Sequence, residues 1–263
     1  MTTTGAATFT DGDAYERMMG RWSRTAGAVF LDWLAPPAGR DWLDCGCGNG
    51  AFTEEIVARC AAKSITAVDP SEGQLAFART RPAARHASFK LGSAEALDFP
   101  DNSFDVSIMA LVLAFLSDPT KAAAELARVT RPGGSVASYM WDIDAGGSPL
   151  APMTRAMQAV GVAPAKRPSE AASRRDVMQE LWQQAGMVDV ETMTIPVEIS
   201  YPSVDAFCDV YFLPIGPQGV AISKLSDDDR ARLRRQLHDD LSGPGGRVSY
   251  KAFANAVKGR VTG

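Results

Sequence analysis

Histidine is scarce in this 263-residue sequence, which holds only His86 and His238, so chemistry that depends on imidazole has almost nothing to draw on. Cysteine is nearly as rare: the four residues at 45, 47, 60 and 208 are too few and too unevenly spaced for a disulfide framework, and they are expected to be reduced. Cys45 and Cys47 alternate with Gly46 and Gly48 and have no second Cys/His pair at ligand spacing, so no metal site is expected. No apolar stretch approaches the ~20 residues that span a bilayer, and no basic segment leads into an apolar run near Met1. A cytoplasmic protein without a membrane partner is the expectation. Excess positive charge is also missing; a net charge of -4 argues against a phosphate-tracking surface and therefore against a nucleic-acid partner. Repeats, low-complexity tracts and flexible linkers are not seen.

The composition, 46% hydrophobic and 22% charged, is that of an ordinary globular chain with a sizeable core. From Trp42 onward, short apolar runs alternate with amphipathic stretches, the pattern of a parallel sheet covered by helices on both faces. Strands are expected at 41–44, 64–69, 87–91, 104–110 and 135–141, and helices at 51–61, 71–80 and 120–129. The last helix is stopped by Arg131-Pro132-Gly133-Gly134, read as a sharp turn. After Trp141 the alternation lapses into a loop-like segment at 142–149. Helices near 152–160 and 175–185 follow, with Gly186 where a helix C-cap belongs, and extended runs at 188–199 and 246–257 bring the strands to seven. A short aromatic helix is expected at 204–212. Ser226 and Asp229 resemble a capping pair opening a helix with Leu233, Leu237 and Leu241 on one side.

In Leu43-Asp44-Cys45-Gly46-Cys47-Gly48-Asn49-Gly50 a strand ends, glycines alternate, and a helix begins at once. Alternating glycines let the backbone turn sharply and approach a ligand closely, and the helix N-terminus offers free N–H groups. A nucleotide-like ligand fits that edge, with Asp44 at the strand end able to accept a hydrogen bond from a cationic amine. Asp69 closes the second strand, where a carboxylate can hold a ribose diol. Its alternative role is to favour the dipole of the helix that follows Pro70 and Ser71. Because Ala51 follows Gly50, the loop also satisfies G-x-G-x-x-A, so a dinucleotide ligand stays open on the loop alone. The lack of a second βαβαβ half beyond Trp141 weighs against it.

With these residues in view, the chain resembles the class I S-adenosylmethionine-dependent methyltransferases, and more narrowly small-molecule enzymes similar to quinone-biosynthesis C-methyltransferases. The resemblance rests on residues 42–50, Val68-Asp69-Pro70-Ser71, Gly92-Ser93-Ala94-Glu95-Ala96-Leu97, Phe104-Asp105 and residues 128–134. Residues 15–24 look like the segment that covers the cofactor in part of that family. The resemblance implies a Rossmann-like α/β fold: a mostly parallel seven-stranded sheet, helices on both faces and a helical substrate lid. The implied organisation is a helical cofactor-covering segment at 1–40, a cofactor-binding core at 41–142, and at 143–263 the remaining strands with the inserted lid. It further implies S-adenosylmethionine as cofactor, S-adenosylhomocysteine as product and a small-molecule acceptor. Its cofactor contacts map onto Tyr15, Arg21, Asp44, Cys45, Gly46, Gly48, Asp69, Pro70, Gln74, Ser93, Ala94, Glu95, Ala110 and Leu111. Tyr15 and Arg21 would close over the cofactor. Ser93 stands where the family commonly has Asp, and a hydroxyl is not the same charged acceptor for an adenine amino group.

Methyl transfer from a sulfonium chiefly needs an aligned acceptor and excluded water, so a dedicated base is optional. His86 sits at the sheet edge opposite the ligand site and His238 in a charged helix. Asp142, just past the fifth strand, is the better-placed candidate. Tyr201, Phe207, Tyr211 and Phe212 are candidates to line the acceptor site, with ordinary packing against the sheet as their alternative role. Two other functions fit the same loop: a nicotinamide-dependent oxidoreductase, and a binding module that senses the cofactor without turnover.

Overall fold

A computed structural model describes residues 12–164 and 166–262. Seven strands form one sheet: β1 (Asp41–Cys45), β2 (Ser64–Asp69), β3 (Ser88–Leu91), β4 (Phe104–Ala110), β5 (Thr130–Trp141), β6 (Met187–Tyr201) and β7 (Val248–Val261). Their order is β3-β2-β1-β4-β5-β7-β6. β7 runs antiparallel to β5 and β6, and the remaining pairs are parallel. The expected mostly parallel α/β sheet is therefore the one observed. The helices are α1 (Gly12–Leu34), α2 (Ala51–Arg59), α3 (Glu72–Ala78), α4 (Pro119–Val129), α5 (Ala151–Ala159), α6 (Arg175–Gln184), α7 (Val204–Tyr211), α8 (Gly216–Ser223) and α9 (Asp227–Leu241).

Strands covered on both faces read as continuous apolar runs, and β1 shows why. Trp42 joins a core with Phe30 of α1, Phe52 of α2 and Tyr139. Its neighbour Leu43 points the other way, into a core with Met109, Leu126 of α4 and Trp182 of α6. The short edge strand β3 lacks that double cover, and its Leu91 is 63% exposed. Caps mark several helix starts: Ser71, Asp118 and Ser226 each accept a backbone N–H three residues on.

Two expectations need correction. The segment 131–134 is not a turn before β5 but a bulge within it: Phe104 pairs with Thr130 and Val106 with Ser135, and Gly133 absorbs the excess chain at φ +76°. α8, whose first turn holds Gly216, Pro217 and Gly219, was not expected.

The chain runs outward from β1 through β2 to β3, then returns to the other side of β1 with β4 and β5. That reversal between β1 and β4 is where open α/β sheets bind ligands, at the carboxyl ends of the strands. α1 crosses above this edge and is held there by a buried aromatic cluster. The Trp22 indole N–H donates to Tyr211 (2.9 Å) and Tyr201 (3.3 Å). The Tyr250 hydroxyl donates to the Pro149 carbonyl at 2.8 Å and is 3.2 Å from the Tyr211 hydroxyl, itself 3.1 Å from that of Tyr201. One hydrogen per hydroxyl then fixes the order of donation as Tyr201 to Tyr211 to Tyr250 to Pro149. Among the described residues, no helix is long and apolar enough to cross a membrane.

Candidate functional site

A cavity of about 660 Å³ opens at the strand ends between β3 and β5, spanning the reversal point. Its floor is the glycine loop after β1, and the loop's shape follows from contacts that only glycine permits. A Cβ on Gly46 would lie 2.4 Å from Val112, the residue that follows β4 and Leu111. Gly48, at φ +52°, has open space where a Cβ would be. The loop is stitched to the end of β2: the N–H groups of Gly46 and Cys47 reach Val68 O at 2.7 and 3.0 Å, and Gly48 N–H reaches Asp69 Oδ2 at 2.9 Å. Asp69 Oδ1 accepts from Ser71 N at 2.9 Å. Burial raises the Asp69 pKa above the usual carboxylate range, with those two N–H groups pulling against it.

Asp44 lies beneath this floor, fully buried. Thr53 Oγ1 donates to its Oδ2 at 2.7 Å, while Oδ1 has no hydrogen-bond partner among the described residues. Burial, with a contribution from the charge on Asp69, pushes its pKa up to about 7. The thiols of Cys45 and Cys47 are also pushed up by burial, which keeps them protonated and unreactive.

The wall on the β3 side comes from Ser93, Ala94 and Glu95 after β3 and from Phe115, Leu116 and Ser117 opposite them. Glu95 ties the two together. Its carboxylate accepts from Ser117 N (2.8 Å), Ser117 Oγ (2.9 Å) and Asp118 N (3.0 Å). Burial would raise its pKa, but these hydrogen bonds outweigh it and hold the group below its ordinary value. Ala110 and Leu111 continue the wall past β4, and Leu111 takes a left-handed backbone at φ +64°, fixed by its N–H to Tyr139 O at 2.8 Å. Such strain in a non-glycine residue tends to collect at binding sites.

Of the residues expected to contact the cofactor, the structure brings Gly46, Gly48, Asp69, Pro70, Gln74, Ser93, Ala94, Glu95, Ala110 and Leu111 around this one cavity. Asp44 and Cys45 sit behind its wall, because a strand buried on both faces turns their side chains into the two cores. Arg21 is exposed on α1; Ser23 and Arg24 line the cavity in its stead. The side chain of Tyr15 lies outside the described residues. Asp142 belongs to a separate, more open depression of about 330 Å³ with Arg174 and Asp176, and accepts from Ala145 N–H at 3.3 Å. Tyr201, Phe207 and Tyr211 are buried in the aromatic cluster under α1, and Phe212 lies beneath the Arg234 guanidinium. None of the four lines that cavity. The sequence reasoning missed Ser23, Arg24, Phe52, Glu55 and Tyr139, which line the cavity from α1, α2 and β5. The apolar positions Met18, Trp22, Ala26 and Phe30 give the phase of α1, the one signal that distinguishes Arg21 from its neighbours.

The methyltransferase domain family matches residues 43–138. Over 113 residues the chain is 40% identical to malonyl-[acyl-carrier protein] O-methyltransferase of Serratia marcescens, a match covering 43% of each protein. Over 110 residues it is 36% identical to the ubiquinone/menaquinone biosynthesis C-methyltransferase of Roseobacter denitrificans, covering 40% of this chain and 44% of that one. These matches span about half the length of such relatives or less. A solved structure of Haemonchus contortus phosphoethanolamine N-methyltransferase 2, in complex with phosphomonomethylethanolamine and S-adenosylhomocysteine, has a TM-score of 0.59. It is 17% identical, and the likeness, covering 95% of this chain and 57% of that one, is one of fold.

Proposed function

We propose that this chain belongs with the class I S-adenosylmethionine-dependent methyltransferases, as its match to the methyltransferase domain family supports, and that it moves a methyl group from S-adenosylmethionine to a small, partly apolar acceptor. The observation that carries the reading is the cavity itself, in which the glycine loop and Asp69 meet at the reversal between β1 and β4. The residues fit the cofactor chemically. Asp69 has lone pairs left over from its two N–H contacts for a ribose diol, Gly48 leaves open space beside it, and the unpartnered Asp44 Oδ1 leaves a hydrogen-bond acceptor under the floor. Ser93 and Ala94 would flank the adenine, and Ala110 and Leu111 the methionine portion.

When bound, the sulfonium supplies an electrophilic methyl group for in-line displacement. The chain's own residues exclude water and orient the acceptor. Phe52 and Tyr139 offer it aromatic surface. Among the cavity's carboxylates, Asp69 and Glu95 are committed to N–H and O–H donors, which leaves Glu55 as the proton acceptor where an acceptor needs one. The relatives named above methylate oxygen, carbon and nitrogen, so the accepting atom is not carried over from them. A dinucleotide-binding sheet of order 3-2-1-4-5-6 would lack the antiparallel β7 inserted here beside β5. A cytoplasmic location goes with this reading.

Calorimetric titration with S-adenosylhomocysteine tests it. The expected result is micromolar binding that Asp69→Ala weakens about tenfold or more, an effect of ~1.4 kcal/mol. No binding by the folded wild type would sink the reading and turn attention to nicotinamide dinucleotides. Binding without turnover across a broad acceptor panel would mark a sensor.

A further inference from the structure

Arg81 lies outside the cavity, just after α3, yet its guanidinium joins three elements that surround it. Nε donates to the Asn49 carbonyl of the glycine loop at 2.6 Å, one Nη to Glu54 of α2 at 2.5 Å, and the other Nη to Glu16 of α1 at 3.1 Å. The side chain is 13% exposed and its cation lies 5.5 Å from the Phe77 ring centroid. Partial burial makes these charge-assisted bonds stronger and less screened than surface pairs. Glu16 uses its other carboxylate oxygen to bind Arg24, which lines the cavity. A continuous chain of contacts therefore runs from the floor, Asn49, through Arg81 and Glu16 to Arg24 in the roof.

A second feature of α1 serves the same chain. A Cβ on Gly20 would lie 2.4 Å from Glu16 Oε1, so a glycine one turn on is what lets the Glu16 carboxylate fold back along the helix. Glycine disfavours an α-helix interior relative to alanine, a cost retained here. Of the three bonds that Arg81 makes, two go to the loop and to the helix that follows it directly. The third alone crosses to α1, so lifting the roof breaks that bond and leaves the others intact.

We infer that Arg81 is a positioning residue that latches α1 onto the glycine loop through Glu16, and that this latch sets how long the cofactor stays bound. The inference rests on the cofactor reading above. It acts on the release step: the latch forms over a loop already in place, so breaking it speeds departure more than it slows arrival.

The test measures S-adenosylhomocysteine association and dissociation by stopped flow, with amide hydrogen exchange across residues 16–24 in the ligand-free protein. Glu16→Gln and Gly20→Ala are each expected to speed dissociation about tenfold with association within about twofold, and to speed exchange across 16–24. Gly20→Ala does this without lowering the melting temperature, since alanine favours the helix; a merely structural role would not give that split. Arg81→Met combined with Glu16→Gln is expected to dissociate no faster than Arg81→Met alone. Dissociation and exchange unchanged in Glu16→Gln, or effects of the two substitutions that multiply, would overturn the latch. A wild type that does not bind S-adenosylhomocysteine would overturn the cofactor reading, while the exchange measurement still decides the latch.

Discussion

At the scale of single residues, Asp44 couples the site to pH. Its folded pKa, about 7, lies above the ordinary carboxylate value of 3.8. Between those two values the folded protein keeps a proton that the unfolded chain has lost, so this residue's contribution is fully present below the ordinary value and fades as pH rises towards 7. Asp44→Asn removes that slope. Thermal melts should show the variant melting several degrees above the wild type at pH 8 and close to it at pH 4; the same difference at both pH values would contradict the assignment. Glu55→Gln should lower kcat tenfold or more for acceptors that must lose a proton while leaving S-adenosylhomocysteine affinity unchanged, which steady-state kinetics and calorimetry together would report. Glycine and acid at fixed offsets made the meeting of Gly46, Gly48 and Asp69 at one cavity readable from the sequence, because it depends on backbone conformation and strand position. Asp142 and Arg21 do not line the cavity for a related reason: being near a strand end or inside a motif does not fix where a side chain points.

Among the elements, the alternation up to Trp141 was readable because each strand is buried on both faces and each helix on one. The direction of β7 was not, since the period of a strand is the same parallel or antiparallel. α1 shows what periodicity can reach, the buried stripe of Met18, Trp22 and Phe30, and what it cannot, the identity of the surface that stripe meets. The hydroxyl chain beneath α1 gives a test at this scale. Tyr211→Phe leaves the Tyr201 O–H without its acceptor and the Trp22 N–H with only a 3.3 Å contact, at a cost of about 1–3 kcal/mol. Trp22→Phe removes a donor and strands nothing, so it should cost less than Tyr211→Phe in urea unfolding. The reverse ranking would mean that the ring packing of Trp22, not its N–H, holds α1 in place.

For the molecule as a whole, the cavity draws on strands β2, β4 and β5, on the loop after β1 and on helices α1, α2 and α3, so a ligand that fills it stabilises the fold as a unit. At a hundred times its dissociation constant, S-adenosylhomocysteine should contribute about 2.7 kcal/mol. For a chain of this size that corresponds to a rise of roughly 5–10 °C in melting temperature, with no comparable rise from reduced nicotinamide dinucleotide. The C-terminal third was the part least readable from the sequence. Its aromatic residues looked like a lining for the acceptor site and turn out to be the seat of α1, because contacts 179 and 189 residues apart leave no local pattern. That separation also bears on how the protein is made. At 5–20 residues per second the ribosome needs roughly 10–40 s to pass from Trp22 to Tyr201 and Tyr211, and over that interval the Trp22 end of the newborn α1 stripe lacks its partners. The roof of the site is synthesised well before the residues that seat it, and a holding chaperone would find its target in that stripe.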